Sequence, residues 1–201
     1  MTDIVHAIPI TGGAIAPYGG LIATDIVNDK TILVNGGTAR RTPEVVPTEN
    51  LYAVAPSKIP ARAVLNVSLA SPRDVTSSSV NGTAKKILKI GVLERHKYTT
   101  QSFIPMGSNV KYLVVVTDGI ERPNLEGLKA FVAEEKQGVC YGAGVWHAPL
   151  SVVDKVSSYP NLNVKYIYIW GIDGSIGREL TSEMNSASII RHSAACERRA
   201  R

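Results

Sequence analysis

Glu94, His96 and Gln101 fall within one dense stretch, residues 92–107 (VLERHKYTTQSFIPMG), and His147 sits in a second, residues 136–150 (KQGVCYGAGVWHAPL). Two of the chain's four histidines therefore lie in these segments. In an extended strand residues two apart share a face, so Glu94 and His96 project together and Arg95 projects the other way. Gln101 follows a tight turn over residues 97–100 that can return its amide to the same side. His147 arrives behind a turn built on Gly142 and Gly144, in a Trp-His-Ala-Pro unit where a strand should begin. A carboxylate, two imidazoles and an amide that converge can bind a metal ion or run proton transfers. Each residue alone has a plainer reading. Glu-x-His is often a surface or salt-bridged pair, and a histidine flanked by Trp146 and Pro149 is often a hydrogen-bonded structural one. Two polar clusters, each at a strand start and separated by a strong strand, favour the functional reading.

The elements that must position these groups read as strands. Short apolar runs separated by Gly, Pro, Asn and Asp mark residues 21–26, 31–35, 64–69, 86–93, 139–141, 151–156 and 164–171. The run KYLVVVT at 111–117 is the strongest, with three consecutive valines and a tyrosine. Residues 125–134 form a connector, helical or extended. Helix signals are confined to residues 11–18, which are Gly-rich, and 176–190, where Ile176, Leu180, Met184 and Ala187 recur at roughly helical spacing. Residues 40–60 and 71–82 read as loops, the latter (SPRDVTSSSVNG) as disordered. Many short strands with one connector predict a mainly β fold, a barrel or sandwich. We expect a single domain over residues 1–190 and a basic, frayed tail over 191–201.

Composition excludes several classes. The chain of 201 residues is 44% hydrophobic and 19% charged, ordinary for one globular domain. Its net charge of +5 rests largely on Arg191, Arg198, Arg199 and Arg201 in the tail, so no nucleic-acid surface is implied. No apolar run is long enough for a signal or membrane span, and Cys140 and Cys196 form no paired motif. A reduced, cytoplasmic setting and a small-molecule substrate are the expectation, with no nucleic-acid or membrane partner.

The runs LERHKYTTQSFIPMG, YLVVV, RPNLEGLKAF and QGVCYGAGVWHAPL, in that order, closely resemble the ureidoglycolate lyase family. PYGGLIATD at 17–25 and NGGTARR at 35–41 look like its N-terminal segments, bringing the resemblance to about two-thirds of the chain. The resemblance implies a cupin-like β-barrel of jelly-roll type that cleaves ureidoglycolate to glyoxylate and urea in allantoin and purine degradation, and a homodimer. It also implies Glu94, His96 and His147 as catalytic groups. Gln101, Asn35, Thr38, Arg41, Tyr141 and Trp146 would contact substrate, with Arg41 holding its carboxylate. For Trp146, simple core packing is an equal alternative. Two segments depart from the family: VLNVSLA at 64–70 lacks a mid-strand arginine, and GIDGSIGRELTSEMN at 171–185 replaces a more acidic ending.

Ureidoglycolate is a hemiaminal, so a base must take its hydroxyl proton and an acid must protonate the departing urea nitrogen. His147 and His96 have the reference pKa nearest neutrality, and Glu94 can orient a histidine or act as the base. A divalent transition ion such as Ni, Mn, Fe or Zn on Glu94, His96, Gln101 and His147 is an option that the donor set allows but does not require. The departures keep two alternatives open: a paralogous lyase or isomerase of fungal-like specialised metabolism with a larger substrate, and a non-enzymatic cupin-like binding protein.

Overall fold

The computed structural model describes residues 4–58, 61–80, 83–153, 164–172 and 187–192. Its elements, in chain order, are β1 (Ile4–Pro9), α1 (Gly12–Ile15), β2 (Gly19–Ala23), β3 (Ile32–Val34), β4 (Ala39–Arg41), β5 (Arg62–Ala70), β6 (Thr76–Val80), β7 (Thr83–Ile90) and β8 (Gln101–Pro105). They continue with β9 (Lys111–Thr117), β10 (Lys129–Glu134), β11 (Gln137–Tyr141), β12 (Trp146–His147), β13 (Ser151–Val152), β14 (Val164–Ile172) and β15 (Ala187–His192). The larger sheet runs β12-β9-β10-β1-β15-β7-β6, with β13 also paired to β9. The second runs β2-β11-β8-β14-β5, and β3 and β4 form a separate hairpin. The fold is thus mainly β, built among the described residues as two sheets and not as one closed ring of hydrogen bonds.

β9 explains why two sheets are needed. Its side chains alternate between faces, and both faces are apolar. Tyr112, Val114 and Val116 join Phe103 of β8, Phe131 of β10 and Val139 and Tyr141 of β11 in a core that contains residues of both sheets. Leu113 and Val115 join a second core with Ala7 of β1, Leu88 and Ile90 of β7, Ala130 and Trp146. These last residues come from strands spread across the larger sheet, which therefore curls over its own outer face. An alternating polar strand could not occupy this position; a β-branched run buried on both sides does.

The chain enters the fold through β1, which pairs in parallel with both β10 and β15. Thr11 caps α1 by accepting from the Ala14 amide at 3.2 Å. Gly19 then turns the chain into β2 with φ of 142°, and a Cβ there would sit 2.0 Å from the Cys140 carbonyl. Only glycine permits this approach of β2 to β11.

Two expectations are corrected. Residues 187–190 belong to strand β15, hydrogen-bonded between β1 and β7, and not to a helix. The helical spacing of apolar residues could not outweigh two flanking strands, for which the β-branched Ile189 and Ile190 are suited; residues 176–186 lie outside the described residues. Residues 76–80 of the stretch read as disordered form β6, which pairs with β7 from Thr76↔Ile87 to Val80↔Thr83. That register leaves a two-residue connection, Asn81-Gly82, the dipeptide most favoured in tight hairpins. The connector over 125–134 resolves into a short 3₁₀ turn, Leu125–Gly127, and β10.

Candidate functional site

The site forms where the two sheets meet. Gln101 opens β8 and lies opposite Tyr141, the last residue of β11, in the second sheet. His147 comes from β12 of the larger sheet, opposite Val116. Glu94 and His147 exchange both backbone hydrogen bonds, each at 2.8 Å, in an isolated bridge. This bridge sets the register between two segments far apart in sequence. The glycine turn docks on the first segment, since the Gly144 amide donates to the His96 carbonyl at 2.8 Å. Gly144 has φ of 80°, the left-handed region that glycine tolerates. On the other side, residues 49–51 hold the turn that aims Gln101. The Leu51 amide donates to the Tyr98 carbonyl at 2.7 Å, the Thr99 hydroxyl to the Glu49 carbonyl at 3.1 Å, and the Glu49 amide to the Thr100 hydroxyl at 3.0 Å.

His147 is the centre of the cluster and only 1% exposed. Its ring stacks on Tyr141 with centroids 4.0 Å apart and planes 12° from parallel, and lies 5.6 Å from the His96 ring. Nδ1 is 2.9 Å from the Val145 carbonyl, and Nε2 is 3.0 Å from Gln101 Oε1 and 3.7 Å from Glu94 Oε1. Burial pushes the His147 pKa down to about 3, against a smaller raising effect of the Val145 carbonyl, and His96 lowers it further. The ring is therefore neutral near pH 7. A carbonyl only accepts, so Nδ1 carries the proton and Nε2 presents a lone pair to the site. With a neutral ring, the Gln101 amide hydrogen-bonds only with its NH₂ end turned toward Nε2.

The same geometry suits a cation. Glu94, His96 and His147 each place one ligand atom within 4.8 Å of the others. Two imidazoles and a carboxylate match divalent transition ions. A histidine whose Nδ1 is fixed on a backbone carbonyl has its Nε2 oriented for ligation, the usual outer support of such sites. The residues present thus fit a metal.

The alternation expected at Glu94, Arg95 and His96 holds, and the same alternation separates Trp146 from His147. Glu94 and His96 face His147, whereas Arg95 lies under the ring of Trp146, with its guanidinium carbon 4.6 Å from the ring centroid. Trp146 is fully buried in the second core, on the face opposite His147, and its Nε1 donates to the Gly119 carbonyl at 3.1 Å. Here the packing role weighed for Trp146 is the one the geometry displays. Asn35, Thr38 and Arg41 are exposed, on or beside the β3-β4 hairpin. The Thr38 hydroxyl donates to the Asn35 carbonyl at 2.9 Å, and Arg41 stands opposite Ile32. None of the hydrogen bonds given above for His147 and Gln101 comes from this hairpin. Cys140 turns away from the cluster toward the Pro47 carbonyl, 3.6 Å from Sγ, and burial pushes its thiol up, so it is no ready nucleophile.

One inward residue escaped the reading of the sequence. β5 carries Asn66 and Ser68 on the half-buried face that Ala70 packs into the shared core, and the buried Asn66 Nδ2 has no hydrogen-bond partner. The alternation in VLNVSLA held the signal: Leu65, Val67 and Leu69 point outward, and Val64, Asn66, Ser68 and Ala70 share the inward face.

The described residues include no helix long and apolar enough to cross a membrane. The family described as ureidoglycolate lyase matches residues 2–166. The ureidoglycolate lyase of Schizosaccharomyces pombe is 35% identical over 159 residues, covering 75% of this chain and 79% of that protein. That of Burkholderia cepacia is 33% identical over 162 residues, 79% of this chain and 78% of its own. An Escherichia coli relative of the same name is 30% identical over 155 residues, 77% of this chain and 84% of its own. Among solved structures, RmlC from Streptococcus suis in complex with dTDP-D-xylose aligns over 57% of this chain and 46% of that one, with a TM-score of 0.35 and 13% identity, too remote to argue from. The extent of the family match and of these identities shows that the chain belongs to the ureidoglycolate lyase family and is an enzyme of the lyase class.

Proposed function

We propose that the protein cleaves ureidoglycolate to glyoxylate and urea at the cluster of Glu94, His96, Gln101 and His147. The observation that carries this reading is the meeting of the Glu94 carboxyl group with the buried, neutral His147 imidazole, 3.7 Å apart and held by a backbone bridge. Glu94 and His147 together take up the substrate hydroxyl proton as the carbonyl of glyoxylate forms. The C–N bond breaks, and the same proton passes to the departing urea nitrogen, so no water is consumed. Groups acting in this way contribute about 10²–10⁴-fold each. Gln101 fixes the orientation of the His147 ring, and Tyr141 supports its face. Asn66 donates its free amide hydrogen to a substrate oxygen. A divalent ion held by Glu94, His96 and His147 would supply Lewis-acid polarisation of the substrate oxygens. Arg41 and the 35–38 turn reach the substrate carboxylate only if the hairpin closes over the site.

The test is stoichiometry. Purified protein should release glyoxylate and urea in equal amounts and no ammonia, because ammonia would mean that an amide bond was hydrolysed. Absence of glyoxylate with and without added Ni, Mn or Zn would overturn the reading. The reaction belongs to allantoin and purine degradation, and we place it in the cytoplasm; an enzyme that fractionates with an organelle would contradict that placement.

We further infer a homodimer. Leu65, Val67 and Leu69 project outward from edge strand β5 at 64%, 66% and 60% exposure. Ile104 of β8, which lies on the other side of β14 from β5, is also exposed. A second copy of the chain packs on this face and covers it. Val67→Lys should convert the dimer to a monomer in sedimentation velocity; a wild-type monomer at micromolar concentration would refute the assignment.

A further inference from the structure

The geometry points to Arg95 as a positioning residue that sets the distance between Glu94 and His147 from behind, by clamping Trp146 and the 118–124 loop. This role rests on the reaction proposed above and extends it to a face of the sheet that touches no substrate.

Three observations carry it. First, the catalytic segments are joined to each other by an isolated bridge of two hydrogen bonds and the Gly144–His96 bond beside it, not by an extended ladder. So short a seam leaves the spacing of the two segments to be set by what packs behind it. Second, the residues that alternate with the site groups meet on the opposite face. Arg95 stands between Glu94 and His96, Trp146 directly precedes His147, and the guanidinium lies 4.6 Å above the indole centroid. Both side chains are buried, so the cation–π attraction acts with little solvent screening.

Third, both side chains end on adjacent carbonyls of one loop. Arg95 Nη1 donates to the Ile120 carbonyl, and Trp146 Nε1 donates to the Gly119 carbonyl at 3.1 Å. That loop is itself closed. The Asn124 amide donates to the Asp118 carbonyl at 2.9 Å, and the Thr117 hydroxyl donates to the Asn124 carbonyl at 2.5 Å. Gly119 has φ of 127°, and a Cβ there would sit 2.0 Å from the Arg122 carbonyl, so the loop admits no other residue without moving. Thr117 is also the cross-strand partner of Trp146. The clamp therefore closes a circuit from Glu94 through Arg95, the loop, β9 and Trp146 to His147. A planar fork that stacks and donates at once is an arginine property that lysine lacks.

The experiment compares Arg95→Gln, Arg95→Lys and Trp146→Phe with wild type, well below each variant's melting temperature. Arg95→Gln should lower kcat about 10- to 100-fold, the scale of an ångström of misplacement, with KM changed less than about threefold. Arg95→Lys should recover part of kcat through its charge, and Trp146→Phe, which keeps a ring but loses the donor, should cost less. In parallel, ¹⁵N shifts of the His147 ring report its position without any substrate, and they should move in both Arg95 variants. Wild-type kcat and unchanged ring shifts in Arg95→Lys and Trp146→Phe would overturn the role, even if Arg95→Gln fails to fold. A loss of kcat explained fully by the unfolded fraction would overturn it as well. If the wild-type protein does not cleave ureidoglycolate, the proposed reaction falls, and the ring shifts alone then decide on the clamp.

Discussion

His147→Gln is expected to lower kcat by about 10²–10⁴-fold while the protein remains folded. The imidazole is the point at which every part of the cluster meets: Glu94 at 3.7 Å, Gln101 at 3.0 Å and Tyr141 stacked on its face. Glutamine keeps a polar group of similar reach but offers no imidazole nitrogen to take up and return a proton. The same variant has a second readout. In the folded state the His147 pKa is depressed to about 3, below its ordinary value of 6.5. The unfolded chain therefore binds a proton that the folded one refuses between these values. This contribution to stability is fully present above about pH 6.5 and is lost as the pH falls toward 3, at up to about 1.4 kcal/mol per pH unit. Denaturant midpoints at pH 7 and pH 5 should diverge more for wild type than for His147→Gln. Equal divergence in the two proteins would show that the ring is not held neutral, and normal turnover in the variant would remove His147 from the chemistry.

The site was legible in the sequence largely because its parts are local. Strand alternation alone sends Glu94 and His96 one way and Arg95 the other, and the glycines at 142 and 144 announce the turn that delivers His147. The strand 111–117 was equally plain, because three valines in a row suit nothing better than a strand buried on both faces. What local patterns cannot report is which distant strands pair. β15 was read as helix because four apolar residues recur every three or four positions, and nothing nearby reveals that β1 and β7 lie on either side of it. β6 was hidden by its serines, which occupy a strand held by its pairing with β7. Trp146 shows a third limit. The family resemblance placed it at the pocket beside an equal packing alternative, yet the period of two sends adjacent residues to opposite faces, and its indole serves the far side of the sheet. Asn66 was missed for the converse reason. VLNVSLA reads as an ordinary half-buried strand until the burial shows Leu65, Val67 and Leu69 on the outside and Asn66 and Ser68 within.

A chain ending at Ser186 should fail to fold cooperatively, whereas one ending at His192 should match the full chain in melting temperature and rate. β15 is no terminal appendage. It lies between β1 and β7, with paired residues from Ile4↔Ser188 to Ala7↔Arg191 on one side and from Ala187↔Ile90 to His192↔Lys85 on the other. Removing it strips one side of β1 and detaches the β6-β7 hairpin from the sheet. Leu88 and Ile90, both buried in the second core, would go with that hairpin. Exposing two such side chains costs about 1.5–3 kcal/mol each, and every lost backbone hydrogen bond adds about 1 kcal/mol. The sum reaches the whole stability of an ordinary domain, about 5–15 kcal/mol. Composition alone draws the boundary of the basic tail at residue 191, two residues inside the strand. A chain ending at Ile190 therefore tests the difference: it loses the pairs of Arg191 and His192 and should melt a few degrees lower, near the 2–4 °C that about 1 kcal/mol represents at this size. Thermal unfolding followed by circular dichroism separates the three truncations. A chain ending at Ser186 with a cooperative transition at the wild-type temperature would show that β15 contributes nothing to the fold.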